Sequence, residues 1–182
     1  MTTKHITTMV QIRITASNKK LGKTSRRVLT KAAEAVGLER IIVTSTQRQP
    51  RAQAEAMLTN IENNRNIRYK FPGEQVCDLA RSMRRTHEAR EDILDAMVAK
   101  IVEFNNFDPP QRVSKHCVDD AEYARHNVID VSYDNMPEEK RIPFLRQMIA
   151  APEVEKVLQP LTRNIIGFDM AEPSLHFEIK QA

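Results

Sequence analysis

The sequence predicts an α+β fold, and three observations lead there. Two stretches alternate apolar and polar residues with period two, one near the start (Thr8–Thr15, TMVQIRIT) and one near the end (Ser174–Lys180, SLHFEIK). Between them runs a strong helical face, with Ile93, Leu94, Met97, Val98, Ile101 and Phe104 spaced to lie on one side. Strand-like and helix-like segments then follow one another in irregular order, which argues against a repeating βαβ chain.

Taken in order, Thr8–Thr15 is the first expected strand, and Asn18–Gly22 a polar turn. A helix follows to about Val36, burying Val28, Leu29, Ala32 and Val36. Gly37 is placed to close it in the left-handed conformation. Arg40–Ser45 (RIIVTS) is rich in β-branched residues and reads as a buried strand. Pro50 opens the next helix, since proline is tolerated in a first turn, and Ala54, Met57, Leu58 and Ile61 form its apolar side. Phe71-Pro72-Gly73 punctuates the chain. Helical spacing then extends from Glu74 to about Phe104, bent or broken once, and ends at the loop Asn105–Pro110. A short strand is expected over Arg112–His116 and another over Asn127–Tyr133 (NVIDVSY). Short helices are expected over Glu138–Ile149 and Pro152–Leu158, and the final strand over Ser174–Lys180.

The 182 residues suit one domain spanning 1–182 with one core. No stretch approaches the roughly 20 apolar residues of a membrane span, so no membrane span is expected. The first residues lack the apolar region and small-residue cleavage site of a signal peptide, so synthesis in the cytoplasm is expected. Cys77 and Cys117 are far apart and make neither a disulfide framework nor a cysteine-rich zinc knuckle. The net charge of +4 is uneven. Lys4, Arg13, Lys19, Lys20, Lys23, Arg26, Arg27 and Lys31 face one acid, Glu34, within residues 1–36. Such a stretch is either a solvated helix face or a site for an anionic polymer. With no Trp and few aromatic residues there is no platform for stacked bases, and nucleic acid is not the expected partner. Nothing in the sequence sets an oligomeric state.

Chemistry concentrates on two of the five histidines. His5 lies in the terminal segment and His87 in an arginine-rich helical stretch. His116 and His176 each sit on or beside an expected strand. Asp130 interrupts an apolar strand, sharing one face with Val128 and Ser132, and a buried carboxylate there needs a metal or an arginine. His176 and Glu178 share one face of the last strand, with Leu175, Phe177 and Ile179 on the other. Two histidines and a carboxylate form a known catalytic zinc set that leaves a fourth position open. The residues alone also allow an ion-paired aspartate and two structural histidines.

Three segments, in order, resemble the motifs of the zinc D-alanyl-D-alanine carboxypeptidases and dipeptidases and the Hedgehog-like peptidases, a superfamily that includes phage L-alanyl-D-glutamate endopeptidases. Ile42–Gln53 (IVTSTQRQPRAQ) is similar to the strand, turn and arginine that open the family's site. Ser114-Lys115-His116 with Val128-Ile129-Asp130-Val131 looks like the family's S-x-H-x-x-G-x-A-x-D motif, split by an inserted loop at about 117–126 and lacking its Gly. Glu172-Pro173-Ser174-Leu175-His176-Phe177-Glu178 is similar to the family's E-P-W-H-x-E, with one extra residue before the histidine. The resemblance implies a small, largely antiparallel central sheet with flanking helices. It implies Zn2+ held by His116, Asp130 and His176, with Glu172 as general base and Glu178 as the alternative base. It implies Arg48 as the group that binds a substrate carboxylate or developing oxyanion. Ser114, Gln53 and, from the inserted loop, His126 are the implied substrate-side residues. The implied substrate is a short peptidoglycan peptide containing D-amino acids, as for a phage endolysin or a delivered effector acting on the cell wall. Two other readings stay open: a non-catalytic zinc-binding domain of the same fold, and a basic nucleic-acid-binding protein or nuclease.

Overall fold

The computed structural model describes residues 9–16, 18–65, 67, 69–158 and 174–182. They form an α+β protein with a five-stranded mixed sheet and, among the described residues, six helices. The chain divides into two compact units, Met1–Thr46 with Ala124–Ala182, and Gln47–Tyr123. The expected single core is therefore two, because each set of amphipathic elements closes on itself.

The first unit holds the sheet. Its strands are β1 (Gln11–Ile14), β2 (Arg40–Ser45), β3 (His126–Val131), β4 (Val154–Leu158) and β5 (Leu175–Lys180). They lie in the order β1-β2-β3-β5-β4, so β3 is central. The β1–β2 pair is parallel, and the pairs β2–β3, β3–β5 and β4–β5 are antiparallel. Two helices supply apolar cover, α1 (Lys23–Ala35) and α6 (Glu138–Ala150). Val28, Leu29 and Ala33 from α1 and Phe144, Leu145 and Met148 from α6 join Ile129, Val131, Leu175, Phe177 and Ile179 in one core. The rings of Phe144 and Phe177 meet edge to face with centroids 6.3 Å apart. Since successive strand residues point to opposite faces, that core leaves Asp130, His176 and Glu178 on the other side of the sheet.

The helix α1 ends as its sequence predicts. Gly37 has φ +67°, its N–H bonds the Glu34 carbonyl, and the Leu38 N–H reaches back to Ala33, the two bonds of a Schellman close. A buried polar network fixes the start of the same helix. Asn127 Oδ1 accepts from the Gly22 N–H at 2.6 Å and from Ser25 Oγ at 3.0 Å, and Gln181 Nε2 donates to Ser25 Oγ at 2.8 Å. A Cβ at Gly22 would stand 2.6 Å from Asn127 Oδ1.

The second unit is helical: α2 (Pro50–Glu62), α3 (Gly73–Arg85) and α4 (Arg90–Asn105) pack on one another. Met57, Leu58, Val76, Leu94, Met97 and Ile101 are fully or almost fully buried in its core. The long helical stretch expected from Glu74 breaks at Thr86–Ala89, where His87 takes φ 60° and Glu88 N–H bonds the Met83 carbonyl. No helix among the described residues is long and apolar enough to cross a membrane.

Three local expectations are corrected. Arg112–His116 is not a strand: its polar groups are used locally, with Cys117 N–H on the Ser114 carbonyl and the His116 carbonyl accepting from Arg48 N–H. Residues 117–126 are not simply an inserted loop: Asp120–Arg125 is a helix, α5, and His126 opens β3. Asp119 Oδ1 accepts the Glu122 N–H at 2.7 Å, a side-chain cap that starts α5. Pro152–Leu158 contains strand β4 rather than a helix, because β5 offers a free edge to pair with.

Phe177 is completely buried and central to the sheet core. Phe177→Ala is expected to cost about 3–5 kcal/mol of stability, measured as a lower denaturant midpoint. A loss below about 1 kcal/mol would mean that this ring does not organise the core.

Candidate metal centre

The site begins with a register. In the antiparallel β3–β5 pair, Asp130 stands directly opposite His176, and Val128 opposite Glu178. Directly opposed residues have Cβ atoms about 4.5–5.5 Å apart, so the two side chains meet. His176 Nδ1 lies 2.9 Å from Asp130 Oδ1, and both residues are buried. The other ring nitrogen, Nε2, lies 3.8 Å from Glu178 Oε1. Lys156 on β4 stands 3.5 Å from the same Glu178 oxygen. One imidazole is thus set between two carboxylates, the outer of which is balanced by an ammonium group.

A bulge adjoins the pair. Between β2 and β3 the register passes from Val43↔Val131 to Ser45↔Asp130, so that Thr44 is the extra residue. Its Oγ1 donates to the Asp130 carbonyl at 3.3 Å. Bulges end regular pairing and re-aim side chains, and this one places buried Ser45 across from Asp130.

The second unit assembles the remaining expected residues. The Arg48 N–H donates to the His116 carbonyl at 2.7 Å. Arg48 Nη1 donates to Gln53 Oε1 at 3.2 Å. The His116 N–H donates to Ser114 Oγ at 3.2 Å. Gln47, buried, ties the same two segments together by donating to the Val118 carbonyl and to Asp120 Oδ1, both at 2.9 Å. The sequence reading passed over Gln47, whose amide has no chemistry to draw attention.

His116, Asp130 and His176 are all buried, and each offers one ligand atom; such a group could hold a metal ion. The donor chemistry fits. Metal-bound histidine ordinarily turns its second ring nitrogen to a carboxylate or carbonyl that fixes tautomer and orientation. Glu178 lies on that side of His176, 3.8 Å from Nε2 and beyond hydrogen-bonding distance, while Asp130 stands 2.9 Å from Nδ1.

Two expected site residues fall elsewhere. His126 opens β3, four residues from Asp130, which at about 3.3 Å per residue is some 13 Å along the strand. Its Nε2 is 2.5 Å from Glu155 Oε2. It therefore stands at the opposite end of β3 from Asp130, at the start of a strand and not in the expected loop. Glu172 lies outside the described residues.

No protein-family model matches the chain, and neither the curated proteins nor the solved structures give a significant match.

Cys117 follows His116 directly and is buried. Burial raises its thiol pKa, against smaller opposing effects of Asn105, Arg112 and Arg48. Burial likewise pushes Cys77 from 9.0 to about 11. Both thiols are expected to resist alkylation in the native protein and to react on unfolding. A raised folded-state pKa contributes stability that is intact below the unfolded value and is lost as pH rises through the folded one. Stability should therefore decline between pH 9.0 and about 11, more gently in Cys77→Ala. Equal slopes in the two proteins, from denaturation midpoints, would count against this origin.

Proposed function

We propose that the chain is a zinc-dependent peptidase that hydrolyses short peptidoglycan peptides containing D-amino acids. The observation that carries the reading is the buried Asp130–His176 pair, with Glu178 on the far side of the imidazole. An unpaired buried carboxylate is costly. A carboxylate and a histidine from adjacent strands, with a second carboxylate orienting the ring, match what a catalytic zinc requires. His116 is the third ligand in this reading. Its support is burial, a locally bonded backbone and its place in the peptidase-like sequence motif.

Zinc, when bound, lowers the pKa of a coordinated water toward ~7 and polarises a carbonyl. The chain's own residues do the rest. Glu172 moves a proton from the attacking water to the leaving amine. Arg48 binds the substrate carboxylate or the developing oxyanion, and Gln53 holds its guanidinium in place. Ser114 keeps the His116 backbone in position through its hydroxyl and takes no part in bond breaking. Glu178 positions His176.

The purified protein is expected to carry about one zinc per chain, by metal analysis at neutral pH. Ala in place of His116, Asp130 or His176 should strip most of it. Glu178→Ala should weaken zinc affinity by about 10–100-fold, the usual effect of removing an orienting partner. Full zinc in all three ligand variants would refute the ligand set.

Peptidoglycan stem peptides should yield new amino groups, and a chelator should stop this. Glu172→Ala should retain zinc while losing about 10²–10⁴-fold in turnover. Zinc binding without any peptide cleavage would identify a non-catalytic member of the same chemistry. Cleavage of glycan linkages instead would exclude the peptidase assignment.

A further inference from the structure

The second unit contains a cavity that the peptidase reading does not use. It lies among the C-terminal half of α2, the segment that follows, and α3, and has a volume of about 460 Å³. That is within the ordinary range of small-molecule sites. Three exposed arginines are among the residues that line it, Arg65, Arg81 and Arg84. Ile61 and Ile67 contribute an apolar wall.

The arginines are held by the backbone in a defined way. Asn64 has φ 51°, its N–H bonds the Ile61 carbonyl, and the Arg65 N–H bonds the Asn60 carbonyl at 2.9 Å. This Schellman close fixes where Arg65 leaves α2. Arg81 and Arg84 are three residues apart on α3, and so project from one face of it. The opposite wall, Tyr69, is seated against Gly73. A Cβ at Gly73 would come within 3.2 Å of the Tyr69 Cβ, so glycine permits the ring's approach.

Charge in the cavity is unbalanced. Arg81 pairs with Asp78 at 2.8 Å, one turn back along α3. Among the described residues neither Arg65 nor Arg84 has a carboxylate partner; Arg65 reaches only the Asn60 side-chain oxygen, at 3.5 Å. A cation near a helix C-terminus is favoured by the helix dipole, which accounts for Arg84 in the last turn of α3. It does not account for three arginines lining one concavity. Guanidinium forks match oxoanions, and a single fork satisfies a carboxylate. Three forks with one local counter-charge match the higher charge and additional oxygens of phosphate.

We propose that the cavity lined by Arg65, Arg81 and Arg84 is a binding site for a phosphate monoester, whose organic body lies against Ile61 and Ile67.

The test is calorimetric titration of the full chain at low salt with inorganic phosphate, with glucose 6-phosphate and with a short single-stranded oligonucleotide. Glucose 6-phosphate should bind, and Arg65→Ala, Arg81→Ala and Arg84→Ala should each weaken it about tenfold or more, the usual effect of losing a charge-assisted hydrogen bond. Asp78→Asn should tighten binding by releasing Arg81. Arg26→Ala, an exposed arginine on α1, should leave it unchanged. Tighter binding of glucose 6-phosphate than of inorganic phosphate supports an organic phosphate as the natural ligand. Equal affinities would keep the phosphate site but remove the role given to the apolar wall. The proposal fails if neither phosphate binds at millimolar concentration. It also fails if Arg26→Ala weakens binding as much as the cavity variants, or if the oligonucleotide alone binds regardless of the three arginines.

Discussion

A carboxylate buried in the central strand of a sheet is the constraint around which the first unit is arranged. Asp130 lies between Ile129 and Val131, which belong to the apolar core, so it cannot turn toward the helices without burying charge in hydrocarbon. It must instead be satisfied on the other sheet face. Everything near it serves that end. His176 stands opposite on β5, Ser45 opposite on β2, and Thr44 bulges out to bond the Asp130 carbonyl. Glu178 and Lys156 continue the alternation of charge outward along the same face.

The helical unit solves a different problem. Its three helices bury their apolar sides on one another and on Val113 and Cys117, and residues 47–123 contribute no strand to the sheet. Short polar links then decide where its candidate site residues stand. The Arg48 N–H on the His116 carbonyl and the Gln47 amide on Val118 and Asp120 tie the start of the excursion to its end. Arg48, Gln53, Ser114 and His116 are collected by that tie, although they span a long stretch of sequence.

The parts of this arrangement that were legible in the sequence are those governed by local physics. RIIVTS forms β2 over its full length because β-branched residues suit a buried strand, and Gly37 ends α1 because only glycine takes the left-handed turn cheaply. Period two put Asp130 on one face of β3 and His176 on one face of β5. No pattern in either strand says that the two are partners; that depends on the register between them. Residues 152–158 misled for a related reason. Their sequence is neutral between helix and strand, and the open edge of β5 decided it. His126 misled because motif spacing was read as an inserted loop, whereas the strand simply begins there, at the far end from Asp130. The two cores were illegible because an amphipathic helix announces that it has a buried face but not against what.

The β3–β5 register has a genetic consequence. Sliding β5 by one residue would turn Phe177 toward Asp130 and drive His176 and Glu178 into the core, because every side chain on a strand changes face together. The large apolar side chains Leu175, Phe177 and Ile179 therefore act as proofreaders of the polar ones between them. Substitutions at these positions would register in a mutational screen as defects of the Asp130–His176 pair. A screen scored only on that pair would sort them with Asp130 and His176 themselves. Only the accompanying loss of heat resistance would tell the two classes apart.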